Sequence, residues 1–226
     1  MRVVVVTPPA PLIDVPTVRA RLGGAPSADD ATLAAYVQAA TDELDGPGGW
    51  LGRALGPQTL ELQSHHFPNA AWPCAAPGFD EGWLPLAFRP GRDWGTIHLP
   101  YPEVQGVVSV SYLDGTGTRI TLAPGAYVLS GRELSPAFGT LWPVAQPLPG
   151  SVAIRYTAGY ATVPEALRQA LVLMVAQMVA LGRPDPFLKQ DTAIGVASQS
   201  WDTSPTAGAL YETAAGRLLG PLRVFL

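Results

Sequence analysis

The 226-residue chain is 47% hydrophobic but only 14% charged, with a formal net charge of −4. It is long enough to bury a sizeable core, and its mild acidity argues against a DNA-gripping surface, because phosphate binding needs clustered Lys and Arg. The single cysteine, Cys74, excludes an intramolecular disulfide and a Cys-based zinc site, and makes an intracellular origin the default.

The chain opens "MRVVVVTPPAPLID". Its apolar run, Val3 to Val6, is too short for a signal-peptide core, so a short strand or extended arm is expected. Val15 to Leu22 reads as a short helix with Pro16 in its first turn. Ser27 is a suitable N-cap for the next helix, with Asp30 three residues on in place of the usual Glu of a capping box. Leu33, Val37, Ala40 and Leu44 follow at helical spacing beside Tyr36. "DGPGG" (45–49) breaks that helix, and Trp50, Leu51, Ala54 and Leu55 predict one or two further helical turns.

After Pro57 the pattern changes to period two. Thr59 to Phe67, Thr96 to Leu99, Val104 to Leu113, Arg119 to Leu122, Ala126 to Leu129 and Ser151 to Thr157 are strand candidates. "LDGTGTRI" has the turn residues of a hairpin connection. The irregular stretch 68–95 carries Trp72, Trp83 and Trp94 among several prolines. Pro164 and Glu165 open a long helix that Gly182 and Pro184 stop. Residues 185–208, polar and poor in bulky apolar groups, predict a mobile loop. A last short helix spans about 210–219.

The long helix has no charge between Arg168 and Arg183. Leu167, Leu171, Met174, Met178 and Leu181 form the expected home face, while Val172, Ala176 and Ala180 line a small-residue strip opposite. Two readings stand for that strip: cover by the chain itself, or contact with another subunit. A membrane span is excluded, because Ala170 to Gly182 is about thirteen residues and contains Gln177, where a span needs ~20.

Catalytic patterns are weak. His65 and His66 are adjacent on a strand and point to opposite faces, so they do not chelate one ion; His98 is the third histidine. Asp80-Glu81 lacks a second acidic pair for a two-carboxylate hydrolase. Ser109, Ser111 and Ser130 sit in no nucleophile elbow, and the Gly-rich turns lack the Gly-Lys-Ser/Thr ending of a phosphate cradle. Trp72, Trp83, Trp94 and Trp142 fit either loop packing or aromatic contacts to sugar or protein.

The succession of segments does carry a resemblance. "VTPPAPLIDVPTVRARL", "ADDATLAAYVQAATDELDGPGGWLGRALGPQTLEL", "IHLPYPEVQGVVSVSYLDGTGTRITLAPGAYVL" and "GSVAIRYTAGYATVPEALRQALVLMVAQMV" occur in the order found in the phage head–tail connector (adaptor) family. That family belongs to long-tailed bacteriophages and gene transfer agents. The similarity spans most of residues 5–182, and "LLGPLRVFL" resembles the family's C-terminal end. It implies an α+β fold: a small helical bundle (1–57 and 160–226) with an inserted antiparallel β-domain (58–159) and an extended C-terminal segment.

The resemblance further implies a structural virion protein at the head–tail interface, assembled in the bacterial host cytoplasm. Such proteins form a homo-oligomeric ring, dodecameric in this class, between the portal protein and a stopper or tail terminator. The ring extends the channel through which DNA passes without specific binding. Neither enzyme activity, cofactor, metal nor membrane is implied. The expected subunit interface is Val172, Ala176 and Ala180. The expected portal contact is Leu218, Leu219, Leu222, Arg223, Val224, Phe225 and Leu226. Trp72, Trp83 and Trp94 are then candidates for touching a neighbour or the tail. The lengthened stretch 67–95 and the 185–208 loop depart from the family pattern. The alternatives are a tail-associated carbohydrate- or receptor-binding module using those tryptophans, and a hydrolase using Asp80 and Glu81.

Overall fold

The alternating stretch after Pro57 becomes an inner strand of a five-stranded antiparallel sheet in the computed structural model. The structure describes residues 1–23, 28–68, 95–181, 190–193, 197–200 and 214–224. Two units emerge: Met1–Ala10 with Gly56–Ala161, and Pro11–Leu55 with Thr162–Phe225. The fold class is α+β, with strands concentrated in the first unit and helices in the second.

The strands of the first unit are β1 (Arg2–Thr7), β2 (Gln58–Ser64), β3 (Ile97–His98), β4 (Val104–Leu113), β5 (Arg119–Thr121), β6 (Tyr127–Ser130), β7 (Glu133–Pro136) and β8 (Val152–Ala158). The large sheet has the order β1-β2-β8-β4-β5, and a smaller sheet the order β3-β7-β6. Leu60 and Leu62 of β2, Ile154 and Tyr156 of β8 and Val110 of β4 are all buried on one face. Their register neighbours on the other face are polar: Arg155 pairs with Glu61 at 2.6 Å, and Gln63 donates to Glu61 at 2.8 Å. Side chains alternate across a pleated strand, so a single period-two sequence makes one dry and one wet face.

The N-terminal arm expected with the helices belongs to this sheet instead. β1 pairs antiparallel with β2, Val3 opposite Leu62 and Val5 opposite Leu60. β4 and β5 form the expected hairpin, closed by Asp114, whose Oδ1 accepts the Thr116 and Thr118 amides at 2.9 Å. β7 was not expected. Its four residues are too few to show a period, and Pro136 argues against a strand. Leu134 is nevertheless fully buried, between β3 and β6.

The second unit packs α1 (Val15–Leu22), α2 (Asp30–Leu44) and α3 (Glu165–Leu181) around one core. The cap of α2 is Asp29, whose Oδ1 accepts the Thr32 amide at 2.8 Å; Ser27, the expected cap, lies outside the described residues. Leu33, Val37, Ala40 and Leu44 are all buried, as their spacing requires. The turns expected at 50–55 are not helical. A 3-10 turn at Gly46–Gly48 is followed by a tight loop in which Leu55 N donates to Asp45 Oδ1 at 2.6 Å and Gly46 N to the Arg53 carbonyl at 2.9 Å. Leu51, Ala54 and Leu55 are buried regardless. Their apolar spacing marked burial, and Asp45 and the glycines determined the backbone.

The 185–208 stretch is not wholly irregular. Gln190–Ala193 (β9) and Ala197–Ser200 (β10) pair antiparallel. Gly182 and Pro184, the expected helix stop, lie outside the described residues, and a short helix occupies 214–219.

Candidate interaction surfaces

The surfaces singled out in the sequence divide sharply once placed. In α3 the buried stripe runs through Leu167, Ala170, Leu171, Val172 and Val175. Met174 and Met178, expected at its centre, are only partly buried. The stripe is rotated from the expected one, with Val172 and Val175 joining the core that α3 shares with α1 and α2. Val172 is therefore a core residue, 3% exposed, and not part of a free strip; Ala176 is half-buried and Ala180 exposed. The three do not form one open face.

The C-terminal segment is seated on its own unit. Ala215 and Leu219 are buried in the helical core, with Leu218 and Leu222 partly buried against it. Beyond the 3-10 turn at Gly220–Leu222, Val224 N donates to the Leu51 carbonyl at 2.8 Å. The Arg223 guanidinium lies 5.3 Å from the centre of the Trp50 ring. Leu219 is thus an anchor of the segment, not a contact offered outward. Phe225 and Leu226 lie outside the described residues.

Trp72, Trp83, Trp94, Cys74, Asp80 and Glu81 also lie outside them. Trp142 is described and serves as core. It is 3% exposed, donates its indole N–H to the Gly95 carbonyl, and stacks on Phe67 at 4.8 Å with Tyr112 edge-on to Phe67 at 5.9 Å.

Among the described residues, no group of three or more His, Cys, Asp or Glu side chains is placed to hold a metal. His98 Nδ1 lies 3.7 Å from Glu133 Oε1. Burial, helped by the neighbouring His65, lowers the His66 pKa and favours its neutral form. Tyr156, fully buried, donates to the Pro100 carbonyl at 2.8 Å, and burial raises its pKa. The Tyr156 hydroxyl thus satisfies its hydrogen bond inside the packed core, while His66 and the His98–Glu133 pair lie nearer the surface. No helix among the described residues is long and apolar enough to cross a membrane.

Sequence reasoning missed the exposed apolar residues of the sheet unit. Val5 and Val6 stand on β1, Ile120 on β5 and Val128 on β6. Phe138, Leu141 and Val144 project from the segment between β7 and β8, Phe138 without any cover. "AFGTLWPVAQPL" has no helical or strand period, so periodicity could not separate its buried Trp142 from its exposed neighbours.

The arrangement is a helical unit and an antiparallel sheet unit, the latter with large apolar side chains left exposed among the described residues. No protein-family model matches the chain, and no curated protein does. Solved structures do. A chain in the neck of an empty gene transfer agent (GTA) particle computed with C6 symmetry aligns with a TM-score of 0.63 at 21% identity, over 100% of this chain and 97% of that one. A chain of the virion of a native GTA particle aligns at 0.63 and 20% over the same shares. A chain in the neck of a native GTA particle computed with C12 symmetry aligns at 0.58 and 21%, again over 100% and 97%. This protein therefore has the fold of chains found in those particles from end to end.

Proposed function

We propose that this chain is a structural neck protein of a phage-like particle, an adaptor that forms a ring between the capsid portal and the stopper or tail and extends the DNA channel. The observation that carries the reading is the whole-length correspondence with GTA neck chains, 100% of this chain against 97% of theirs. The order of sequence segments supports the same family independently. The C6 and C12 symmetries of those necks agree with a ring of identical subunits, and a dodecamer is the assembly we assign. A net charge of −4 suits a conduit through which DNA slides, since a basic lumen would retain it. The reading assigns no catalysis and no cofactor, and it places the protein in the virion after assembly in the host cytoplasm.

Within this reading the portal contact falls to exposed Arg223 and the partly buried Leu218, Leu222 and Val224 of the C-terminal segment, with Phe225 and Leu226 next in sequence. Leu219 holds that segment to the body. Deleting the gene from a producing strain tests the role. Filled heads and free tails that fail to join, rescued by the gene in trans, are expected. Normal joined particles without the protein would overturn it.

A further inference from the structure

Several of the large exposed apolar residues of the sheet unit stand at or near the two edges of its larger sheet. At one edge of the five-stranded sheet, Val5 and Val6 of β1 are 39% and 42% exposed. On the side of the opposite edge, Ile120 of β5 is 37% exposed, and Val108 of β4, beyond the stretch that β5 covers, is 58% exposed. Val128 belongs to β6, whose entry is tied to the β7–β8 segment by the bond from Ala137 N to the Ala126 carbonyl at 3.0 Å. Phe138 follows directly. The same segment returns to β4, the neighbour of β5, through Gln146 N and the Leu113 carbonyl at 2.9 Å. Between the edges, β2 and β8 expose no large apolar side chain among the described residues, and the ion pair of Glu61 and Arg155 occupies their outer face.

We propose that the β1 edge of one copy packs against the β5 side of the next, so that the sheet units make the ring's subunit contact. The proposal rests on the ring reading above and names its interface. Three observations select a second copy as the occupant. First, a cyclic assembly needs two different, complementary faces on each subunit, and this sheet offers apolar surface on opposite sides. Second, the five strands alternate in direction, so β1 and β5 run the same way. A rotation that repeats copies in one orientation then brings the two edges together as parallel neighbours. A two-fold axis would instead join β1 to β1 and leave the β5 side in water.

The third observation is exposure. Ile120, Val128, Phe138, Leu141 and Val144 are 37%, 55%, 105%, 69% and 82% exposed, five large apolar side chains of the kind that mark protein contacts. The edges carry little charge, although β5 is only three residues long and β1 has a register shift between Val5 and Thr7. β1 has no proline and its sole charge is Arg2, and β5 has only Arg119. The contact is therefore one of side chains at the two edges and does not need a continuous strand ladder between copies.

Cross-linking tests the geometry. In a Cys74→Ser background, Val5→Cys and Ile120→Cys place thiols on edge strands four inter-strand steps apart, about 19 Å at ~4.8 Å per step, beyond a short bis-maleimide. In the assembled full-length protein, with its portal protein added where assembly requires it, the double variant is expected to give a ladder of covalent multimers. Each single variant should stay monomeric on a denaturing gel. Phe138→Glu with Val144→Glu should raise the concentration needed for assembly at least tenfold while leaving the melting temperature unchanged.

A ring by mass that gives no ladder and tolerates the glutamates would overturn this interface and leave the adaptor reading intact. Dimers from Val5→Cys alone would also overturn it, in favour of a two-fold contact. No ring under any condition, with or without the portal protein, would overturn both.

Discussion

Gly159 shows how narrowly single residues constrain this chain. It follows β8 with φ of 117°, and a Cβ placed there would lie 1.9 Å from the Gly56 carbonyl oxygen. Gly159→Ala therefore combines a disfavoured backbone with a backbone collision, and a loss of about 3 kcal/mol or more is expected. Gly117, at φ 83° in the β4–β5 hairpin, has open space around it. Gly117→Ala should cost only the left-handed conformation, about 1 kcal/mol. Denaturant unfolding of the two variants checks the order.

Glu61 carries the pH prediction at this scale. Partial burial opposes its charge, but the bonds from Gln63 and Arg155 and the charges of Arg155 and Arg119 outweigh that, so its folded pKa is lowered from 4.5. A carboxylate depressed on folding contributes stability above its unfolded pKa, and that contribution is lost as pH falls through the folded value. Stability should therefore decline below pH 4.5, and Glu61→Gln should flatten that decline. Urea unfolding over a series of acidic pH values measures both slopes.

Among the elements, α3 gives the clearest contrast. Leu171 is fully buried and Val172 nearly so, whereas Ala180 is exposed. Leu171→Ala should cost about 2–5 kcal/mol as a cavity forms. Val172→Glu should destabilise comparably, because a carboxylate is left without a partner in the core. Ala180→Glu should shift stability by less than about 0.5 kcal/mol. Thermal melts of the three variants separate core from surface along one helix. Ring assembly by Ala180→Glu, measured alongside, reports whether the exposed end of α3 also meets a neighbour.

The same elements show what the sequence made legible. The stripe of Leu33, Val37, Ala40 and Leu44 predicted α2 because one buried face imposes one period. The Asp114–Thr118 turn predicted its hairpin because the turn residues themselves make the bonds. β7 and the β9–β10 pair were missed, since strands of four residues carry too few positions for a period. The rotation of α3 was missed for a different reason. Val172 and Met174 are both apolar, and only the packing of α1 and α2 decides which one is covered. The exposure of Phe138 and Val144 was illegible on the same ground, because hydrophobicity alone does not tell an exposed residue from a buried one in a segment without a period.

For the whole molecule, low charge and abundant exposed apolar surface point to a protein that completes its burial by assembly. A soluble monomer seldom leaves contiguous apolar patches beyond a few hundred Å² in water. Chains of GTA particles share its fold over the whole length, and the proposed ring is an assembly in which such surface is covered. The account rests on that covering being done by copies of the chain itself in a ring on a portal. Single-particle mass and negative-stain imaging of the purified protein, alone and mixed with the portal protein of the same genome, measure this directly. The account predicts a closed ring of identical subunits stacked coaxially on the portal, with twelve-fold symmetry. A monomer that neither self-assembles nor binds the portal at any accessible concentration would contradict it.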